Sequence, residues 1–131
     1  MSEEAKRYGV RWYERARRDL DRAVVDYAEY TGNRPLAAQM YTSIQDLAAS
    51  LGENPDRNMV AETESVSFGF PVRRVLYRLS RNSRVAYHLI YYTVEDGEDG
   101  EDDDLVSIVH VRYASRAALT REEAREIMMQ R

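Results

Sequence analysis

The chain has 131 residues, with 19 lysines and arginines against 23 aspartates and glutamates, a formal net charge of −4. That length holds one domain with a real core and not two, and 44% apolar beside 32% charged residues is a globular mixture rather than a disordered one. The absence of cysteine excludes disulfide staples, thiol catalysis and cysteine-ligated zinc, and no apolar run approaches the ~20 residues that span a bilayer.

Residues 1–131 read as a single domain. Met1 to Arg7 is charged with no apolar core behind it, so the expectation is a cytoplasmic protein without membrane contact. Tyr8 to Tyr13 is short, aromatic and β-branched, as an edge strand is. From Trp12 to Tyr30 the apolar positions Ala16, Leu20, Ala23, Val24, Tyr27 and Tyr30 fall at helical spacing, and Gly32 stops the segment. Asn33 then caps a second helix with Pro35 in its first turn, where the missing N–H costs nothing. Ala37, Met40, Tyr41, Ile44, Leu47, Ala48 and Leu51 line its apolar side, and Gly52 with Asn54-Pro55 closes it. Two amphipathic helices joined this briefly pack as an antiparallel hairpin.

After Glu64 the period shortens to 2. Val66, Phe68, Phe70 and Val72 alternate, although Pro71 keeps that stretch out of any central strand. Val72 to Leu79 reads as a strand turned at residues 80–83, Arg84 to Val94 as the most apolar and hence central strand, and Leu105 to Ala114 as the last. Residues 95–104 form the hairpin loop between the last two. Thr120 to Gln130 reads as a short helix with Thr120 and Glu123 in capping-box register. The fold class is α+β, with an N-terminal strand and a helical hairpin on one face of an antiparallel sheet (β-α-α-β-β-β) and a C-terminal helix.

Charge is unevenly spread. Glu95 to Asp104 reads EDGEDGEDDD, and without its eight acids the chain holds 19 bases against 15 acids, a net of +4. The loop lacks the ligand order of an EF-hand, so it reads as solvated, with folding over a basic surface as the alternative. No acid lies between Glu64 and Glu95, an interval holding Arg73, Arg74, Arg78, Arg81 and Arg84, and 18 of the 19 bases are arginine, the planar fork suited to phosphate or carboxylate. Strand alternation predicts one apolar face, with Val75, Tyr77, Leu89, Tyr91, Val109, Val111 and Tyr113 meeting the helices. The other face then collects Arg74, Arg78, His88, Tyr92, His110 and Arg112, with Arg116 beyond them. A basic concavity holding tyrosine and histidine suits a nucleic-acid backbone with bases to stack on.

The order of these pieces resembles the RelE/ParE superfamily of bacterial type II toxin–antitoxin toxins. The resemblance is carried by Val10-Arg11-Trp12 with Ala16 and Asp19-Leu20, by Ala37 to Leu51 with Glu53-Asn54-Pro55, by Val72-Arg73-Arg74, by Tyr87 to Tyr91, and by Val109 to Arg116. It implies a cognate antitoxin and one of two targets. RelE-like members enter the ribosome and cut mRNA with basic residues plus a tyrosine or histidine, whereas ParE-like members bind DNA gyrase and have no nuclease constellation. The resemblance places the basic position of the middle strand at His88, the preceding arginine at Arg73 or Arg74, the terminal arginine at Arg116, and Tyr113 where relatives often carry histidine. As an mRNA endonuclease it would need no metal or cofactor, because the RNA 2′-hydroxyl is the nucleophile. His88, Arg74, Arg116 and Tyr113 would then be catalytic, and Arg73, Arg78, Tyr92, His110 and Arg112 would hold the RNA. Inhibition of gyrase and a toxin-like binding module without activity are the alternatives, and the oligomeric state stays open.

Overall fold

A computed structural model describes residues 8–78, 88–95, 104–113 and 119–130. The elements run β1 (Gly9–Trp12), α1 (Glu14–Thr31), α2 (Arg34–Ser50), a 3-10 turn (Pro55–Arg57), α3 (Glu62–Phe68), β2 (Arg73–Tyr77), β3 (His88–Glu95), β4 (Leu105–Tyr113) and α4 (Arg121–Met129). The four strands form one sheet in the order β1-β4-β3-β2. β2, β3 and β4 are antiparallel neighbours, and β1 joins β4 in parallel, making the sheet mixed. The turn predicted at residues 80–83, the tip of the acidic loop at 96–103, and Arg116 lie outside the described residues.

The helical hairpin forms from local signals. Asn33 accepts from the Leu36 N–H at 3.0 Å with Pro35 in the first turn, and Gly32 closes α1 at φ 65° with its N–H on the Ala28 carbonyl. α1 and α2 bury Ala16, Leu20, Ala23 and Tyr27 against Ala37, Met40, Ile44 and Ala48. Each large aliphatic among them contributes about 1.5–3 kcal/mol by leaving water. The capping box at Thr120 and Glu123 opens α4 as the spacing predicts, with both side chain–backbone bonds made.

Two further features correct the sequence reading. Residues 62–68 are helical rather than extended, because Ala61, Glu64 and Phe68 point inward at three- to four-residue spacing, the acids Glu62 and Glu64 occupy the first turn, and Gly69 at φ 85° ends the segment. The apolar alternation that suggested a strand includes Val66, which is 69% exposed. The sheet is also covered on both faces. Tyr77 faces Tyr27 of α1 and Ser43 of α2, whereas Tyr91 points at Glu64 of α3 and Arg112 at Glu123 of α4. Ala124, Ile127 and Leu119 are buried beneath the second pair of helices. Among the described residues no helix is long and apolar enough to cross a membrane.

Register decides which side chains share a face. Val75 lies opposite Ile90 and Tyr77 opposite His88, so His88, Ile90 and Tyr92 belong to the hairpin face, and Leu89 and Tyr91 join Arg74 and Leu76 on the other. In β4, Ile108 pairs with Tyr92 and His110 with Tyr91, which leaves Val109 as a bulge. One extra residue there turns His110 and Arg112 away from the face that Ile108 keeps.

Candidate functional site

Among the described residues the expected basic concavity is therefore not assembled, and each proposed site residue other than Arg116 can be placed. His88 and Tyr92 are corrections: both are wholly buried on the hairpin face. The Tyr92 hydroxyl donates to the Pro55 carbonyl at 2.6 Å and accepts from Asn58 Nδ2 at 3.2 Å. Burial, eased by Asn58, raises its pKa, so this ring is a structural peg rather than a stacking platform. Arg73 lies on the Tyr92 side, pairing with Asp56 at 3.5 Å and donating to the Asp56 and Asn58 carbonyls. Arg74 and Arg78 are exposed.

Four of the expected residues do meet. His88, His110, Arg112 and Tyr113 line a cleft of about 410 Å³ between α1, the C-terminal half of β4 and α4, completed by Arg15, Asp19, Arg22, Ala23, Asp26, Val111 and Glu123. The His88 and Tyr113 rings stand 4.6 Å apart, tilted by 38°. β1 pairs only with residues 105–108, so α1 occupies the flank of β4 beyond it and brings in its carboxylates.

The electrostatics of this cleft are balanced. His110 Nδ1 sits 2.8 Å from Asp19 Oδ2, and Arg112 Nη1 sits 3.5 Å from Glu123 Oε2. Arg15 pairs with Asp19 at 3.5 Å and Arg22 with Asp26 at 3.6 Å, each four residues apart on α1. Burial works against the ionised form of Glu123, but the Thr120 backbone N–H and then Arg112 outweigh it and lower its pKa. Beyond the cleft, burial followed by the charge of Glu64 pushes the Tyr91 hydroxyl up to about 12. Among the described residues no group of three histidine, aspartate or glutamate side chains is placed to hold a metal ion.

Sequence reasoning missed Asp19, Asp26 and Glu123 as partners of these bases. The Arg15/Asp19 and Arg22/Asp26 spacing marks a charged helix face, but nothing along the chain signals that α1 and α4 turn their acids toward β4.

A second surface is apolar. The outer side of the hairpin carries a groove of about 600 Å³ lined by Val24, Val25, Ala28, Ala37 and Ala38, with Glu29 and Arg34 among its other lining residues. Val25 is 53% exposed, and Tyr30 near the end of α1 is 83% exposed.

The β-α-α-β-β-β order, with α3 inserted ahead of β2 and α4 at the C-terminal end, agrees with the order expected from the resemblance to type II toxins. Residues 10–118 match the model of the ParE toxin of the type II toxin–antitoxin system parDE, and the chain belongs to that family. No curated protein matches it. Membership implies an antitoxin partner. α4 lies beyond the matched residues.

Proposed function

We propose that this toxin arrests growth by binding DNA gyrase rather than by cutting mRNA. The observation that carries the reading is the state of the acid–base candidates: His88 is fully buried, His110 stands against Asp19, and Arg112 stands against Glu123. Cleavage by the RNA 2′-hydroxyl requires a group titrating near neutrality within reach of that hydroxyl and cations free to take up charge on the phosphate. Among the described residues, a phosphodiester in the cleft would meet three carboxylates already paired with its three guanidinium groups.

Binding a protein makes other demands, and the hairpin meets them. Its groove exposes Val25, Tyr30 is exposed on a different side of α1, and tyrosine is among the residues that most often anchor protein interfaces. The matched family carries the ParE name, and the resemblance noted in the sequence implies gyrase as the target of ParE-like members.

The test is a supercoiling assay with purified gyrase, run beside translating ribosomes programmed with a defined mRNA. The expected result is loss of supercoiling with accumulation of gyrase–DNA cleavage complexes, weakened by Tyr30→Ala, while ribosome-bound mRNA stays intact. Site-specific mRNA cutting with gyrase unaffected would overturn the reading.

A further inference from the structure

α1 and α4 arrange their surface charges differently. Along α1 opposite charges stand four residues apart and pair within the helix: Glu14 with Arg18, Arg15 with Asp19, and Arg22 with Asp26. Along α4 the same spacing joins like charges. Arg121 and Arg125 form a basic row, and Glu122 and Glu126 an acidic row beside it, all four exposed. None of these four side chains makes an ion pair with a described residue. Like charges one turn apart repel, and a cation in the first turn opposes the helix dipole, so the pattern costs helix stability and gains nothing within one copy. At 3.6 residues per turn Met129 falls between the two rows, and it is 80% exposed. Val66 of α3, also exposed, borders the basic row.

This face is complementary to itself in one orientation. Two copies of α4 lying parallel, related by a two-fold axis along the helices, set the basic row of each against the acidic row of the other. Arg121 then meets the second copy's Glu126, as residues at g and e positions do in parallel coiled coils, and Glu122 meets the second copy's Arg125. Antiparallel packing would oppose arginine to arginine and glutamate to glutamate, so charge selects the parallel form.

We propose that this toxin forms a two-fold dimer through α4, with the charged rows interlocked and Met129 packed against its equivalent on the axis. α4 lies beyond the residues that match the family. The contact uses no residue of the hairpin groove, so it stands whether or not gyrase is the target. Two helical turns and a valine make a small interface held by exposed ion pairs, so the dimer is transient and weakened by salt.

The test is sedimentation of the full chain from ~10 µM to ~1 mM, the range of weak complexes. A monomer–dimer equilibrium is expected, weakened about tenfold in ~0.5 M salt. Two variants separate the rows. An acidic one, Arg121→Glu with Arg125→Glu, and a basic one, Glu122→Lys with Glu126→Lys, oppose like charges across the axis. Each should self-associate about tenfold more weakly than the parent, yet equal amounts mixed should form a heterodimer, because each row again meets its opposite. Cross-linking gives a readout that leaves the rows intact, since the chain has no cysteine. Oxidation of Met129→Cys should join two copies, whereas Met59→Cys, 77% exposed on a different part of the surface, should stay monomeric. A monomer throughout the concentration range, an acidic variant that dimerises like the parent, a mixture without heterodimer, or equal cross-linking at the two positions would overturn the proposal.

Discussion

Replacing His88 separates a core residue from a proton-transfer group. The imidazole has no exposed surface, and its ring stands 4.6 Å from that of Tyr113. Truncation to alanine leaves a cavity in a packed sheet–helix interface, a change that costs about 2–4 kcal/mol at such sites. For a domain of this size that lowers Tm by roughly 6–20 °C, at about 3–5 °C per kcal/mol. His88→Leu refills most of that volume and should cost less stability than His88→Ala. A general acid or base contributes about 10²–10⁴ in rate, so the two roles predict opposite results for the leucine variant. Thermal melts, followed by growth arrest at matched soluble levels and the gyrase assay, make the comparison. His88→Ala should be unstable, and His88→Leu stable and fully toxic. A His88→Leu protein that melts like the parent yet loses toxicity a hundredfold would refute the structural assignment.

Two further changes probe what holds the site. Glu123 has a lowered pKa, so its contribution is present above the ordinary carboxylate range and is lost as pH falls through its folded value. With the carboxylate 43% exposed the contribution is under about 1 kcal/mol after screening. Glu123→Gln should therefore melt slightly earlier than the parent at neutral pH and together with it in acid, and a gap that persists in acid would contradict the ion-pair account. Gly52 is buried, and its carbonyl accepts from the Tyr8 N–H at 2.9 Å. A Cβ there would strike the Tyr8 carbonyl and crowd Val10. Gly52→Ala should cost about 1–3 kcal/mol and speed amide exchange along β1 more than along β3, and a melting curve identical to the parent's would show that the close approach is not maintained.

The two helices of the hairpin and α4 were legible along the chain because their signals are local. Asn33 and Pro35, Gly32, and the Thr120–Glu123 pair act within a single turn, and the spacing of Leu20, Met40 and Ile44 marks one side of each cylinder. The strands were legible as segments for the same reason. α3 was not, since seven residues give too few turns for a helical period to stand out against an apolar alternation that continues through Phe70 and Val72.

The surface that each strand residue occupies was settled by contacts far apart in sequence. Sliding the middle strand by one position exchanges every side chain between faces, and the bulge at Val109 reverses β4 again halfway along. Alternation within a strand is a local property, whereas agreement between strands depends on how they pair. The sequence by itself therefore determined which residues are basic, which segments apart from α3 are helix or strand, and the toxin family. Only the tertiary structure decided that His88 and Tyr92 are interior, that His110 and Arg112 face acids from α1 and α4, and that Arg74 stands open at the edge of the sheet.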